Sequence, residues 1–214
     1  MRVLLIFMFV SLAAVMVFAQ FGTAQKSLPA GALERPIYSH ERNVLNTPEA
    51  FRSSILRARI PGGAVMMVGC QEDAKRKWDP QGEPLGQVLN EMTAADKTYR
   101  WEVQDGAINL LPNAGEPLLL QTQIGEFEIN TNSSLQALGQ LKARREVQQA
   151  MMGLRLQDGL TIITYSPRPT PFSVRFNGGT LRQALNAIAV AHGGDVWDYR
   201  EIRCGERKEV IIRF

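Results

Sequence analysis

A stretch of sequence that occurs twice constrains the fold of this chain more than any other feature. Residues 85–101 (LGQVLNEMTAADKTYRW) and 181–197 (LRQALNAIAVAHGGDVW) align without a gap at an offset of 96 positions. They agree at 6 of 17 positions, where average residue frequencies give about one agreement by chance. The identical pairs are Leu85/Leu181, Gln87/Gln183, Leu89/Leu185, Asn90/Asn186, Ala95/Ala191 and Trp101/Trp197. An internal repeat of this size predicts two copies of one structural unit.

The first 25 residues predict export. Arg2 precedes an apolar run over residues 3–19, and Ala19 and Ala24 provide small residues suited to cleavage. This layout is typical of a secretory signal peptide. The run is also at the lower limit for a membrane span, so an uncleaved anchor is the alternative. In both cases we expect a periplasmic or envelope-associated protein. Residues 26–35, rich in Pro, Gly and Ala, predict a linker.

Residues 36–114 predict a first small domain. Asn46 or Thr47 can cap a helix whose first turn contains Pro48. An apolar run over residues 64–69 predicts a buried strand. The repeated helix begins at Pro84 and has one apolar face. A hairpin follows, with strands over residues 99–103 and 107–111 around the turn Asp105-Gly106.

Residues 117–214 predict a second domain with the same order of elements. Its predicted strands cover residues 118–129, 160–165, 172–176, 196–202 and 208–214, and its helices cover residues 134–152 and a segment capped by Thr180. Helices packed on small mixed sheets make an α+β fold. We therefore expect two tandem small α+β domains, each a mixed sheet packed by two helices in a βαββαββ-like order.

Composition and motifs argue against several classes of function. The net charge is +3, and the basic clusters at residues 75–77 and 142–145 are short and lie beside acidic residues, which disfavours nucleic-acid binding. The sequence has no zinc-ligand spacing, phosphate-binding loop or nucleophile elbow. Its two histidines, His40 and His192, stand without partner ligands. We therefore predict no catalytic residues, no metal and no cofactor.

The repeated polar and aromatic residues leave two interpretations open. Trp101 and Trp197 stand at the start of predicted strands, either as half-buried anchors or as contacts for a partner. Asn90 and Asn186 lie beside core leucines, where each can form a hydrogen bond with a neighbouring loop or contact a partner. We favour the structural role for both pairs.

The two cysteines, Cys70 and Cys204, are the one pair with covalent potential. Disulfides persist in exported proteins, and an even count allows one bridge. Such a bridge would link the two predicted domains. Two unrelated thiols are the alternative.

The second unit resembles a known family. The stretch FSVRFNGGTLRQALNAIAVAHGGDVWDYRE, with LTIITY before it, is similar to the short N-terminal domain (STN, or N0-like) of secretins and TonB-dependent outer-membrane receptors. The first unit shares this resemblance through the repeat. No receptor plug, receptor barrel or secretin barrel segment follows in the sequence. The resemblance implies a module of the cell envelope that docks protein partners without catalysis.

These observations lead to three functional hypotheses. The first is a non-catalytic protein-interaction module whose final strand, with Val210, Ile211, Ile212 and Phe214, offers an edge to a partner. The second is a small periplasmic enzyme or ligand-binding protein with a carboxylate-lined cleft between the domains. Acidic pairs such as Asp195/Asp198 and Glu126/Glu128 would supply its carboxylates. The third is an adaptor that associates with itself.

Overall fold

The structure is a computed structural model that describes residues 27–38, 43–70, 74–159 and 170–214. The predicted signal segment, His40 and the predicted strand over residues 160–165 lie outside the described residues. The described part of the chain forms a mixed α+β fold with five helices, so the predicted fold class is confirmed at that level.

The described residues of the first half form two helices and seven strands. In chain order these are β1 (Pro36–Tyr38), β2 (Asn43–Leu45), α1 (Thr47–Arg57), β3 (Gly62–Val68), β4 (Arg76–Trp78), β5 (Gln81–Pro84), α2 (Leu85–Ala95), β6 (Tyr99–Gln104) and β7 (Ala107–Pro112). Helix α1 begins as predicted, because the side chain of Asn46 accepts a hydrogen bond from the backbone N–H of Glu49 at 3.0 Å.

The second half contains three helices and seven strands in the described residues. They are β8 (Gln123–Ile124), β9 (Phe127–Thr131), α3 (Ser134–Lys142), α4 (Arg145–Leu154), β10 (Gln157–Asp158), β11 (Phe172–Phe176), β12 (Gly179–Thr180), α5 (Leu181–His192), β13 (Val196–Cys204) and β14 (Arg207–Arg213). Thr180 caps α5 in a capping box with Gln183.

One six-stranded sheet contains strands from both halves, in the order β10-β14-β13-β3-β7-β6. In the first half, β6 and β7 form a hairpin, and β7 runs parallel to β3. In the second half, β13 and β14 form a hairpin, and β14 runs parallel to β10. The halves meet where β3 pairs in parallel with β13. The described residues also form four two-stranded ribbons, β1-β5, β2-β4, β8-β12 and β9-β11.

The helices of the two halves cover opposite faces of the sheet. Neighbouring residues of β3 point to opposite faces. Ala64 belongs to the apolar cluster that contains residues of α1 and α2, whereas Val65 belongs to the cluster that contains residues of α3, α4 and α5. Each half therefore packs its own helices on its own side, and the shared sheet separates the two cores.

Two predicted elements differ in detail. The predicted strand over residues 118–129 is a turn followed by β8 and β9, with the backbone N–H of Leu120 donating to Pro117 O at 3.0 Å. The predicted helix over residues 134–152 is two helices, since Arg144 adopts an extended conformation between α3 and α4. The segment before β1 packs against α2: Ala32 is buried, and the N–H of Gly86 donates to Leu33 O.

Candidate interaction edge at strand β6

Strand β6 forms one side of the six-stranded sheet. It pairs with β7 along its inner edge, and within the described residues no strand pairs with its outer edge. The strand at the other side of the sheet, β10, spans only two described residues. An uncovered strand edge can pair with a strand from another chain, so β6 is the first place to look for a binding surface.

The alternation of hydrogen-bonded and non-bonded pairs between β6 and β7 indicates which backbone groups of β6 face outward. The N–H of Asn113 donates to Thr98 O at 2.8 Å. Antiparallel pairs alternate between hydrogen-bonded and non-bonded positions, so Trp101 and Val103, opposite Leu110 and Ile108, occupy non-bonded positions. Their N–H and C=O groups therefore point away from β7.

The outward positions of β6 also have apolar side chains. Val103 is 43% exposed. Trp101, on the same face, is half-buried against the apolar cluster that contains residues of α1 and α2. The indole N–H of Trp101 donates to Asn90 Oδ1 of α2 at 3.0 Å. Helix α2 thereby fixes the tryptophan at the edge of the sheet.

The same asparagine–tryptophan pair recurs in the second half. The indole N–H of Trp197 donates to Asn186 Oδ1 of α5 at 2.9 Å, and both residues are fully buried. Asn186 also donates to Gln104 O, at 3.4 Å, in the first half. The asparagines thus have the structural role that we favoured, although their partner is the repeated tryptophan rather than a loop.

Strand β13, the counterpart of β6, has its outer edge covered. Strand β3 pairs with it in parallel, and Trp197 lies opposite Gly63. A Cβ on Gly63 would lie 1.9 Å from a ring atom of Trp197, so the tryptophan ring occupies the space above this glycine. In the second half, β3 thus covers the edge of β13, whereas no described strand covers the equivalent edge of β6 in the first half.

An ion-pair cluster holds β6 to the second half. Arg182 of α5, 9% exposed, lies 2.6 Å from Glu102 of β6 and 2.9 Å from Glu116. Burial raises the pKa of Glu116, and the charge of Arg182 offsets part of that rise. These contacts fix the position of β6 relative to α5.

A second cluster centres on Asp198 of β13, which is 4% exposed. Its carboxylate lies 2.6 Å from Arg213, 3.1 Å from Arg200 and 3.9 Å from Arg52 of α1 in the first half. Three guanidinium groups around one buried carboxylate form a structural ion-pair network that spans the junction.

Farther along β13, the hydroxyl of Tyr199 donates to Glu201 at 2.5 Å. Burial, together with this carboxylate, raises the pKa of Tyr199. Arg203 pairs with the buried Glu201 at 2.5 Å. The tyrosine therefore stays neutral as a buried hydrogen-bond donor.

The sequence predicts the final strand, β14, as the partner edge. In the structure it lies inside the sheet, with a paired strand on each side. Strand β14 pairs with β13 along its length and with β10 at Glu209 and Val210. Val210 and Ile212 are buried in the apolar cluster that contains residues of α3, α4 and α5, whereas Ile211 and Phe214 are half-buried. At Val210, β14 is therefore not an edge strand.

The two cysteines are joined in the structure, with a Cα–Cα distance of 4.8 Å. Cys70 follows β3 and Cys204 ends β13, and these neighbouring strands run parallel up to the pair Val68 and Ile202. The bridge closes the junction between the halves at one end.

The acidic residues of the cleft hypothesis do not converge. Asp195 lies 3.5 Å from His192, whereas Asp198 contacts arginines. Glu126 and Glu128 are exposed. No group of three or more possible metal ligands occurs in residues 27–38, 43–70, 74–159 and 170–214. None of the described helices has the length and apolar character needed to span a membrane.

A shallow depression of about 280 Å³, open solvent included, lies beside the ribbon β2-β4. Its described lining is largely apolar, with Ile37, Leu45 and Trp78 among its residues, and Arg57 is the one charged side chain among these described residues. Arg57 donates to Tyr38 O at 2.6 Å, so this cation already has a partner.

Sequence reasoning predicted β6 as a strand but did not identify it as the open edge. Comparison with known proteins adds no further assignment: the chain matches no protein-family model, no curated protein and no solved structure.

Proposed function

We propose that this chain is an exported, non-catalytic protein-interaction module that binds its partner by strand addition at β6. The observation that carries the proposal is the outer edge of β6, with outward backbone groups at Trp101 and Val103 and an exposed apolar side chain at Val103. Backbone hydrogen bonds to such an edge supply affinity, and adjacent side chains supply specificity.

We further propose that residues 36–114 and 117–214 are two tandem domains of the type found at the N-termini of secretins and TonB-dependent receptors. The sequence resemblance of the second unit supports this proposal. The recurrence of one strand-and-helix order and of the Asn–Trp hydrogen bond also supports it. Location in the periplasm or cell envelope rests on the apolar segment within residues 1–25.

The alternative of a carboxylate-lined cleft between the halves has less support. The acidic side chains at the junction, Asp198 and Glu102, form ion pairs with arginines. Paired strands, rather than an open cleft, make the contact between the halves.

A site-specific photocrosslinker tests the proposal in the cells that express the protein. Benzoylphenylalanine would replace Val103, and a control would carry it at Met152 of α4, which is 70% exposed and distant in sequence from β6. We expect a discrete adduct from position 103 and none from position 152. Far-UV circular dichroism of both purified variants checks that they are folded.

Two results would contradict the proposal. One is a folded Val103 variant that gives no adduct. The other is the same set of adducts from both positions, which would indicate contact through chance collisions.

A further inference from the structure

We propose that the partner strand that binds at β6 runs parallel to it and places glycine opposite Trp101 and an apolar residue opposite Val103. This inference rests on the proposed function, since it names the chemistry of the partner for the same edge. It follows from a comparison of β6 with its counterpart β13, because β13 already has a parallel strand, β3, along the equivalent edge.

The outer edge of β6 and the covered edge of β13 are equivalent in their backbone groups. Trp101 corresponds to Trp197 at the 96-residue offset. The N–H of Gly62 in β3 donates to Asp195 O at 3.2 Å. Since the backbone groups of successive residues in a strand alternate in direction, Trp197, two positions after Asp195, also directs its groups towards β3. Trp101 directs its own groups away from β7, towards the position that a covering strand would take.

The tryptophan determines which residue can lie opposite it. At the covered edge Gly63 lies opposite Trp197, and a Cβ on Gly63 would lie 1.9 Å from a ring atom of Trp197. A hydrogen bond from the indole N–H to an asparagine of the adjacent helix holds both Trp197 and Trp101. A strand that pairs with β6 in the same register must therefore place glycine opposite Trp101, because any side chain there would meet the ring.

Two positions farther along, the residue that lies opposite β6 should be apolar. At the covered edge Tyr199 lies opposite Val65 of β3, and both side chains are fully buried. Val103 has the position of Tyr199 and is 43% exposed, so an apolar residue opposite it would remove apolar surface from water. Trp101 is likewise half-buried, whereas Trp197 is fully buried. The partner strand therefore has the pattern glycine, any residue, apolar residue.

Strand β3 contains a second glycine, which provides a matched control. A Cβ on Gly62 would lie 2.3 Å from Ile108 O of β7 and 2.8 Å from the side chain of Ile55 of α1. These neighbours belong to the first half and lie beside β3 on the side away from β13. A short peptide that pairs with β6 brings no such neighbours with it. The requirement for glycine at β6 is therefore specific to the position opposite Trp101.

A labelled peptide that reproduces β3 tests the proposal. It has the sequence of residues 61–69, PGGAVMMVG, with a short lysine tail and a fluorophore, and fluorescence anisotropy measures its binding to the full-length protein. We expect saturable binding. The change Gly63→Ala in the peptide should weaken binding at least about tenfold, because the added methyl group meets the ring of Trp101. The same change at Gly62 should leave the affinity within about threefold.

Variants of the protein locate the binding and identify the side chain that discriminates. Val103→Arg places a charge opposite the apolar residue and should weaken binding of the unchanged peptide, whereas Met152→Arg should leave it unchanged. Trp101→Ala removes the ring, so the Gly63→Ala and Gly62→Ala peptides should then bind with equal affinity. Far-UV circular dichroism checks the folding of each variant. The comparison of the two peptides on the wild-type protein does not depend on any variant.

A peptide that fails to bind, equal affinities of the two alanine peptides for the wild-type protein, or binding that survives Val103→Arg would overturn the inference. The crosslinking experiment at Val103 separates it from the proposed function. Mass spectrometry of the adduct identifies the partner residue at the crosslink, and we expect glycine two positions before it. An adduct without that glycine would refute the glycine-bearing parallel strand and support the interaction edge, whereas no adduct from a folded variant would contradict both.

Discussion

At the scale of single residues, one hydrogen bond occurs twice in different surroundings. Asn186 and Trp197 are both fully buried, whereas Asn90 is exposed and Trp101 is only half-buried. The bond lengths are nearly equal, at 2.9 and 3.0 Å. The two bond lengths therefore give no reason for a different contribution to stability, whereas burial and the further bond from Asn186 to Gln104 O distinguish the two sites.

Alanine substitution of the two asparagines should show this difference. Asn186→Ala leaves the buried indole N–H of Trp197 without its acceptor, and we expect a loss of about 1 to 3 kcal/mol in the free energy of unfolding. Asn90→Ala lets water replace the acceptor, and we expect a change within about 0.5 kcal/mol. Urea denaturation followed by tryptophan fluorescence measures both values. Equal losses would show that burial does not determine the contribution of this bond.

The sequence predicted that the asparagine and the tryptophan occupy equivalent positions in the two repeats, but it did not predict their different burial. Both copies have the same residue types at the same spacing, so a structural role was equally plausible for each. The ring of Trp197 lies against Gly63, which is 134 positions earlier in the chain. No local pattern reports such a contact.

At the scale of elements, the helix predicted over residues 134–152 is broken for a reason that the sequence contains. Leu138 and Leu141 lie on one apolar face, but the next buried residue, Val147, follows six positions later, which does not fit one helical face. The chain therefore needs a break, which occurs at Ala143 and Arg144. Glu146 then anchors the start of α4, where it accepts hydrogen bonds from Gly125 N–H and Arg144, each at 3.1 Å.

Glu146 should make part of the stability dependent on acid pH. Backbone N–H groups of Glu146 and Gly125, with Arg144, lower the pKa of its carboxyl group to about 2. A lowered pKa means that the stabilising contribution is present above the unfolded-state value of 4.5 and is lost as the pH falls from 4.5 towards 2.

We therefore expect Glu146→Gln to reduce the slope of stability against pH within this window and to leave the slope above pH 5 unchanged. Denaturant unfolding at a series of pH values measures it. Glu126→Gln is the matched control, since that carboxyl group is exposed. Parallel pH profiles for the wild type and Glu146→Gln would contradict the assignment.

The identity of the edge strands could not be predicted from the same kind of pattern. The sequence correctly predicted the hairpins that form β6-β7 and β13-β14, because turn residues and alternation are local signals. It did not predict the order of the strands in the sheet. Sequence patterns therefore favour the final strand as the edge, whereas the structure places β14 beside β10 and β13.

At the scale of the whole molecule, the halves share one sheet rather than meeting through a mobile linker. Paired backbones of β3 and β13, the arginines around Asp198 and the bridge between Cys70 and Cys204 all cross the junction. The repeat predicted two units, but the sequence could not show that strands from both units pair within one sheet. Contacts between residues so distant in sequence leave no periodic signal.

The bridge should contribute strongly to stability, because the cysteines are separated by 134 positions. The loop-entropy model gives about 4 to 5 kcal/mol for a loop of this length. For a protein of this size that corresponds to a fall of roughly 8 to 20 °C in the midpoint of thermal unfolding on reduction. Thermal unfolding with and without a phosphine reductant measures the change.

A variant with both Cys70→Ser and Cys204→Ser provides the control, and its midpoint should not respond to the reductant. We expect this midpoint to lie near that of the reduced wild-type protein. A wild-type midpoint that is insensitive to reduction, with loss of the bridge verified by a free-thiol assay, would contradict the prediction. It would mean that the paired strands and the ion pairs hold the two halves together without covalent help, and that the bridge protects against a slower process such as proteolysis of the opened junction.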